Sequence, residues 1–197
     1  RIINNGYINI AISGCTCSGK TTLAEEIKQF FSNKYFVNII HQDDYFKDLN
    51  NIPKSRNGYL FESTNAFEIE EFLSDINTLF KNGFVNIPEY DISRNKRISK
   101  NKTIKIGQIN IFEGLHTIKL LENVSNTLNI YLDTSIDICL ERRVDRDKRN
   151  YNIDEKYIRE YFNNCILPIS KSYIFPQKEE ADIVIKKGDD AKCLLKK

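Results

Sequence analysis

The stretch Gly14-Cys15-Thr16-Cys17-Ser18-Gly19-Lys20-Thr21 decides the fold. It matches the phosphate-binding pattern G-x-x-x-x-G-K-[ST] at every fixed position. Glycines let successive backbone N–H groups converge on phosphate oxygens, the lysine supplies a mobile positive charge, and the threonine supplies a hydroxyl ligand for Mg²⁺. The alternative is a glycine-rich turn that happens to contain Lys-Thr. A predicted strand before the motif and a predicted helix after it favour nucleotide binding over that alternative.

The motif and its neighbours form the expected nucleotide site. The helix that follows points its positive end at the same anion as the loop. The expected nucleotide-binding residues are Gly14, Cys15, Thr16, Cys17, Ser18, Gly19, Lys20, Thr21, Thr22 and, from a later helix, Arg149. Cys15 and Cys17 are interpreted as small loop residues rather than half of a metal site, because no second Cys/His pair lies at zinc spacing.

Hydrophobic periodicity around the motif alternates between strand and helix patterns. Strands are predicted at residues 7–13, 36–40, 109–112, 128–132 and 182–185. Helices are predicted from Lys20, from an Asn65/Glu68 capping box to Gly83, over residues 135–149, and over residues 154–167 with a stop at Pro168. This alternation predicts an α/β fold, a P-loop NTPase-type parallel sheet flanked by helices. We expect one domain over residues 1–197, with a polar surface β-hairpin inserted at about 85–109 and a helical lid at about 135–152.

Composition excludes several classes of function. Lys and Arg number 29 against 27 Asp and Glu, so the net charge of +2 gives no argument for nucleic-acid binding. No apolar run approaches the roughly 20 residues of a membrane span, and the first residues have no signal-peptide core. Five cysteines at irregular spacing favour a reduced compartment. We therefore expect a cytoplasmic protein that binds neither nucleic acid nor membrane.

Two acids follow predicted strands at the edge where parallel sheets bind ligands. Asp43, in His41-Gln42-Asp43-Asp44, is a candidate to take a proton from an acceptor hydroxyl or to hold Mg²⁺. Its alternative is a helix cap or a solvated turn. Glu113, in Phe112-Glu113-Gly114, is a candidate Mg²⁺ ligand, and its alternative is an ordinary acid at a strand end. His116 has no evident partner and is interpreted as structural.

Arginines cluster on one predicted helix. Arg142, Arg146 and Arg149 are spaced at i, i+4 and i+7, so they share a helix face, and Arg143 lies beside them. Guanidinium groups in that arrangement can close over a triphosphate and stabilise the transferring charge. The alternative is a solvated, charged helix face. On its own, the spacing leaves both interpretations open.

Taken together, these stretches resemble the uridine–cytidine kinase family, within the wider group that contains phosphoribulokinase and nicotinamide riboside kinase. The resemblance runs from Ile8 to about Gly188. It rests on residues 13–22, Gln42-Asp43, Phe61-Glu62, Asn65-Ala66-Phe67, Pro88-Glu89-Tyr90-Asp91, Arg97, Phe112-Glu113-Gly114, Arg142-Arg143-Val144, Arg146-Asp147, Pro168, Pro176 and Ala181-Asp182-Ile183. Several short motifs in the right order are more specific than the phosphate loop alone.

The resemblance implies ATP-dependent phosphorylation of a nucleoside 5′-hydroxyl with Mg²⁺, and it favours a homo-oligomer. By similarity Asp43 is the general base, and Lys20, Arg142 and Arg146 complete the catalytic set. Thr21, Glu113 and Asp43 are the implied metal-site residues. The implied substrate-binding residues are Asp43, Phe46, Glu62, Tyr90, Asp91, Asn95, Arg97 and Arg143.

Three departures bear on the substrate. Asn95 stands where the uridine–cytidine members carry a histidine, and asparagine is shorter and cannot become charged. Glu62 stands where the family usually has aspartate against the ribose hydroxyls. The His41-Gln42-Asp43-Asp44 stretch also resembles nicotinamide riboside kinases, which lack a clear Pro-x-Tyr-Asp hairpin. The leading hypothesis is a pyrimidine ribonucleoside kinase; the alternatives are a kinase of another riboside and a nucleotide-binding regulatory protein without transfer activity.

Overall fold

The computed structural model describes residues 6–186 and builds them around a parallel sheet. The strands of this described part are β1 (Ile8–Gly14), β2 (Val37–His41), β3 (Lys54–Ser55), β4 (Gly58–Tyr59), β5 (Phe84–Asp91), β6 (Lys96–Lys105), β7 (Ile109–Glu113), β8 (Thr127–Asp133) and β9 (Ile183–Lys186). Five of them form the main sheet, in the order β2-β7-β1-β8-β9, with every pairing parallel. The predicted single domain extends past the described residues at both ends, and Cys193 lies outside them.

Helices cover both faces of this sheet. They are α1 (Lys20–Phe31), α2 (Ile69–Asn82), α3 (Thr117–Leu120), α4 (Ile136–Tyr151), α5 (Glu155–Tyr161) and α6 (Leu167–Ile169). The predicted α/β class with a parallel sheet flanked by helices is confirmed. None of the helices in the described part of the chain has the length and apolar content needed to cross a membrane.

Strand alternation explains how one sheet supports two cores. Ile10 and Ile12 of β1 pack with α1, whereas Ala11, between them, belongs to the cluster on the α2 side. Successive side chains of a strand point to opposite faces, so a strand buried on both faces carries apolar residues toward each core. The two cores hold the sheet from both sides, and the carboxyl ends of its parallel strands lie along one edge. At this edge β1 ends at Gly14 and β7 ends at Glu113.

The segment predicted to be a surface hairpin is also part of the core. β5 and β6 pair antiparallel, and the side chains of Val85, Ile87 and Ile104 are buried in the cluster on the α2 side. Polar residues alternate with these three along the hairpin, so the overall polarity of the segment hid its apolar face.

The start of α2 differs from the predicted capping box. The Ser63 hydroxyl, rather than Asn65, accepts a backbone hydrogen bond, from Asn65 N at 3.2 Å, and caps a short 3₁₀ turn at Thr64–Ala66. The helix itself begins at Ile69 and has no side-chain cap at Glu68. The Asn65/Glu68 prediction was therefore wrong, because a separate 3₁₀ turn at Thr64–Ala66 precedes the helix, which begins only at Ile69.

The helical region after Asp154 does not stop at Pro168. Asp154 caps α5 by accepting a hydrogen bond from Tyr157 N at 3.1 Å, as its position favours. Helical winding then continues through a π turn at Phe162–Ile166, through α6 and through a second π turn at Ser170–Ile174. Proline lacks an N–H and its ring collides with the carbonyl four residues earlier in an α-helix. The wider π turn places that carbonyl differently, so the chain passes the proline without unwinding.

Candidate active site

An open cleft of about 1220 Å³ lies along the carboxyl ends of the parallel strands. Its lining includes Lys20 after β1, Asp43 after β2, Glu113 at the end of β7, Thr134 after β8 and Lys186 at the end of β9. Ligands of open α/β sheets bind at this edge. The volume exceeds the roughly 300–1,000 Å³ of a typical single-ligand pocket.

The phosphate loop is held by its own backbone. At Gly19 the backbone is left-handed, with φ of 108°, a conformation that favours glycine. At Gly14 a Cβ atom would lie 2.9 Å from the carbonyl oxygen of Leu132, closer than real contacts allow. Lys20 Nζ folds back over the loop and donates to the carbonyl oxygens of Gly14 at 3.2 Å and Cys15 at 2.9 Å. A buried lysine with carbonyl partners is free to exchange them for phosphate oxygens.

One buried hydroxyl of the loop has no hydrogen-bond partner in the described part of the chain. Ser18 is buried, and its Oγ has no hydrogen-bond partner within residues 6–186. Leaving a buried hydroxyl unpaired costs free energy unless a ligand satisfies it. Ser18 Oγ therefore fits a role as a donor to a phosphate oxygen.

Glu113 gathers two partners at the sheet edge. Its Oε1 accepts hydrogen bonds from Thr21 Oγ1 at 3.1 Å and from His41 Nδ1 at 2.6 Å. The register of β2 against β7 sets His41 opposite Glu113. Burial alone would raise the pKa of Glu113, but the hydrogen bond from His41 and the charge of Lys20 outweigh burial and hold that pKa below its usual value. The same hydrogen bond raises the pKa of His41, so the two side chains form an ion pair.

Asp43 lines the same cleft, and the residue is exposed to solvent there. Its surroundings of protein atoms, followed by the charge of Glu113, raise its pKa to about 6, while Lys20 and His41 act in the opposite direction. A carboxyl group with this pKa is mostly ionised at neutral pH and accepts a proton more readily than an ordinary aspartate does.

The oxygen atoms at this edge fit a magnesium ion that is also held by phosphate. Mg²⁺ takes oxygen ligands and commonly keeps waters and phosphates, with one or two carboxylates from the protein. Thr21 and Glu113 offer a hydroxyl and an ionised carboxylate in contact, and Asp43 lines the same cleft. Within residues 6–186, no group of three or more His, Cys, Asp and Glu forms a preassembled metal cage. The protein side chains therefore fit Mg²⁺ that arrives with a nucleotide.

Three of the four predicted arginines of α4 line the cleft. Arg142 Nη1 donates to the carbonyl oxygens of Cys17 at 3.3 Å and Ser18 at 3.1 Å, so this helix is attached to the phosphate loop. Arg146 is half exposed, and its Nε donates to Asp147 Oδ1 at 2.8 Å. Both guanidinium groups have donors to spare for a phosphate chain.

Arg143 joins the loop to the opposite wall of the cleft. Its Nη1 donates to Thr16 Oγ1 at 3.1 Å and to Glu62 Oε1 at 2.8 Å, and its Nε donates to Asp147 Oδ2 at 3.1 Å. Burial would lower the pKa of Arg143, but Glu62 and Asp147 outweigh burial and raise it. The guanidinium therefore stays charged within a network of two carboxylates.

The wall beyond Glu62 is aromatic. Phe46 stacks on Phe67 with ring centroids 4.2 Å apart and contacts Phe61 and Tyr90 at 5.9 and 5.3 Å. Two polar atoms on this wall, Glu62 Oε2 and the Tyr90 hydroxyl, are buried and have no hydrogen-bond partner in the described part of the chain. Aromatic faces and a few convergent polar groups are typical of a site for a planar, hydroxyl-bearing ligand.

Most of the predicted substrate residues line the cleft. Asp43, Phe46, Glu62, Tyr90, Asn95 and Arg143 all lie along it. Asn95 occupies the hairpin turn with a left-handed φ of 47°, a conformation that asparagine tolerates. Of the predicted nucleotide residues, Thr16 to Thr22 line the cleft, while Gly14 and Cys15 shape the loop from behind.

Three predicted residues are not brought into the cleft. Asp91 Oδ1 accepts the backbone N–H groups of Ser93 and Arg94, at 3.0 and 3.2 Å, so its carboxylate closes the hairpin turn. Arg97 forms an ion pair with Glu71 of α2. Arg149 is exposed and does not line the cleft, although Asn150 and Tyr151, which follow it in α4, do. The Asp91 side chain is held by a local turn, the Arg97 side chain is held by a tertiary ion pair, and Arg149 lies on a different face of α4 from the residues that line the cleft.

Sequence reasoning assigned no role to His41, Asp147 or Tyr59. Asp147 lies four residues after Arg143, a spacing that could have predicted their ion pair. His41 meets Glu113 through strand register, and Tyr59 reaches the cleft from the short β3–β4 ribbon. Nothing in the sequence indicated the contact of His41 with Glu113 or the position of Tyr59 in the cleft. His116, interpreted as structural, is buried, and its Nε2 lies 2.8 Å from the Glu62 carbonyl oxygen.

Known proteins resemble this chain over nearly its whole length. Residues 9–193 match the Phosphoribulokinase / Uridine kinase family. A uridine kinase of Mycoplasma genitalium is 37% identical over 184 residues, covering 90% of this chain and 84% of that protein. A uridine kinase of Clostridium novyi is 33% identical over 193 residues, covering 95% and 91%. The solved structure of a possible uridine kinase from Bacillus stearothermophilus shares the fold, with a TM-score of 0.71, 20% identity, and coverage of 93% and 91%.

Proposed function

The chain belongs to the phosphoribulokinase/uridine kinase family, and from this premise we propose that it transfers the γ-phosphoryl group of ATP to the 5′-hydroxyl of a pyrimidine ribonucleoside. One observation carries the proposal. A single cleft contains a phosphate loop with an unpaired buried hydroxyl at Ser18 and an aromatic wall with unpaired buried polar atoms at Glu62 and Tyr90. A phosphate chain fits the first set of groups and a nucleoside fits the second.

The donor would be held mainly by the loop. Backbone N–H groups of the loop, Ser18 Oγ and Lys20 Nζ would bind the phosphates, and Arg142 and Arg146 would approach from α4. Phosphoryl transfer leaves little covalent work for the protein, so positioning and charge stabilisation supply most of the rate. When bound, Mg²⁺ would neutralise charge on the β- and γ-phosphates, and Thr21 with Glu113 would hold it.

The acceptor would be held by side chains. Glu62 Oε2 is a buried acceptor, and the hydroxyls of a ribose are donors that would satisfy it. The rings of Phe46, Phe61 and Tyr90 would pack against the base. Asp43 would take the proton of the attacking 5′-hydroxyl, and its pKa of about 6 leaves it ionised near neutral pH.

The experiment is a panel of acceptors offered with ATP and Mg²⁺: uridine, cytidine, nicotinamide riboside, adenosine and no acceptor. We expect ADP formation with uridine or cytidine, which would also show that Asn95 can replace the hairpin histidine. Turnover with another riboside alone would keep the mechanism and change the substrate. ATP binding without stimulation by any acceptor would overturn the kinase and favour a regulatory nucleotide-binding protein.

A further inference from the structure

Arg143 contacts both ligand sites from one nitrogen atom. Nη1 donates one hydrogen bond to Thr16 Oγ1, in the phosphate loop, and another to Glu62 Oε1, on the acceptor wall. An Nη atom carries two hydrogens in a fixed plane, so these two bonds use its full donor capacity. A change in the position of Glu62 therefore changes the direction in which Nη1 can reach Thr16.

The rest of the guanidinium is also fixed. Nε donates to Asp147 Oδ2 at 3.1 Å, and the Tyr161 ring centroid lies 5.7 Å from Arg143 Cζ. Arg143, Glu62 and Asp147 are largely inaccessible, with side-chain exposures of 12%, 3% and 8%. Because the Arg143 guanidinium is planar and is held by contacts on three sides, a displacement of Glu62 moves the whole group and reaches Thr16.

We propose that Arg143 is a positioning residue that couples the acceptor site to the nucleotide site through the Glu62–Arg143–Thr16 hydrogen bonds. The proposal rests on the proposed function, because it takes Glu62 Oε2 as the atom that meets the acceptor. Ribose hydroxyls that donate to Glu62 Oε2 fix the plane of the Glu62 carboxylate and therefore the position of its Oε1. Because Arg143 Nη1 bonds both Glu62 Oε1 and Thr16 Oγ1, the Thr16 side chain is then fixed as well. By linkage, a nucleotide that orders the loop tightens acceptor binding by the same factor.

The experiment measures this coupling as a ratio of dissociation constants. Isothermal titration gives the Kd of a nonhydrolysable ATP analogue with Mg²⁺, in the absence and in the presence of saturating uridine, and then the reciprocal pair for uridine. In the wild type we expect each ligand to tighten the other by roughly fivefold or more, within the usual range for coupled sites. A role in folding alone would weaken binding without changing this ratio.

Two threonine substitutions separate the coupling from general damage to the loop. Thr16→Val removes the hydroxyl that accepts from Arg143 and keeps the branched shape, so the coupling ratio should fall below about twofold, whatever the change in the Kd of each ligand alone. Thr134→Val is the matched control, because Thr134 Oγ1 contacts the same loop by donating to Ser18 O at 2.9 Å. It should keep the wild-type ratio. Arg143→Lys, which keeps the charge but loses the planar fork, should behave like Thr16→Val.

The outcomes separate the two proposals. If uridine is phosphorylated but the wild type shows no coupling, or if Thr16→Val keeps the wild-type ratio, the coupling is overturned and the proposed function stands. If no nucleoside of the acceptor panel binds or is phosphorylated, the proposed function fails and the coupling fails with it.

Discussion

The two ends of the cleft are built in different ways. The phosphate end is one continuous segment, residues 14–22, which runs from the end of β1 into the first turn of α1, and its contacts with Lys20 and Arg142 run to backbone carbonyl oxygens. The acceptor end is assembled from separate segments that contribute Phe46, Glu62 and Tyr90, and its contacts run between side chains. A backbone-built site tolerates many residues at its variable positions, whereas a side-chain-built site changes its ligand when one residue changes. We therefore expect the phosphate end to set the reaction class and the acceptor end to set the substrate.

Replacing Asp43, the proposed general base, should have the largest effect on the rate. For Asp43→Asn we expect kcat to fall by about 10²–10⁴, because the amide cannot accept the hydroxyl proton. The affinity for the ATP analogue should fall much less than kcat, since the loop that holds the phosphates is built from other atoms. Steady-state kinetics with saturating ATP and uridine, and titration with the analogue, measure the two quantities.

The neighbouring acid provides a matched control for Asp43. Asp44 Oδ2 lies 3.7 Å from Lys102 Nζ of the hairpin, and the Asp44 side chain is largely buried. Asp44→Asn keeps the shape of the side chain and should leave kcat within a few-fold of the wild type, because Asp44 is not among the residues that line the cleft. Near-normal kcat in Asp43→Asn, or equal losses in both variants, would remove Asp43 from the role of base.

His116, next to the acceptor end, should make the free energy of unfolding sensitive to acid. This side chain is buried beside the Glu62 carbonyl, and burial lowers its pKa from 6.5 to about 4. The unfolded chain therefore takes up a proton near pH 6.5, and the folded chain does so only near pH 4. The free energy of unfolding should fall as the pH drops through this window, by up to about 3 kcal/mol from this group. Above pH 6.5 the contribution is fully retained.

Urea unfolding at a series of pH values, for wild type and His116→Gln, isolates this contribution. Glutamine keeps an N–H donor for the carbonyl but has no proton to gain, so its stability should decline less between pH 6.5 and 4. Parallel curves for the two proteins would show that His116 is not the acid-sensitive group.

The same difference between the two ends of the cleft explains which features could be predicted from the sequence alone. Residues 14–22 are contiguous, so the loop, the strand before it and the helix after it were predictable from pattern and spacing. Glu62 and Tyr90 carried a role only through the family resemblance, since nothing local marks a residue whose partner is far away in the chain. His41 and the passage of the helix through Pro168 escaped prediction, because register and π turns are tertiary adjustments.

Weakening the ribose contact should have an intermediate effect. Glu62→Gln preserves shape but loses the charge that faces Arg143 and the ribose hydroxyls, so kcat/KM for uridine should fall by roughly 10–100-fold. Affinity for the ATP analogue alone should fall much less. Uridine and 2′-deoxyuridine should become more alike as substrates, because the acceptor of the hydroxyl is the group that discriminates between them. Undiminished discrimination by the variant would show that Glu62 does not face the ribose.

The smallest effect should come from Asn95, the hairpin-turn residue that lines the cleft. Asn95 has a left-handed backbone that glycine adopts freely and histidine adopts more readily than most residues do, so both substitutions keep the turn. Asn95→His extends a longer donor and acceptor toward a pyrimidine edge, and the preference for uridine over nicotinamide riboside should rise by less than about tenfold. Asn95→Gly removes the side chain, and the preference should fall. The ratio of kcat/KM values measures this preference directly. An unchanged ratio in both variants would assign base selection to the aromatic wall of Phe46 and Tyr90 rather than to the hairpin turn, and the acceptor end would then depend on shape more than on hydrogen bonding.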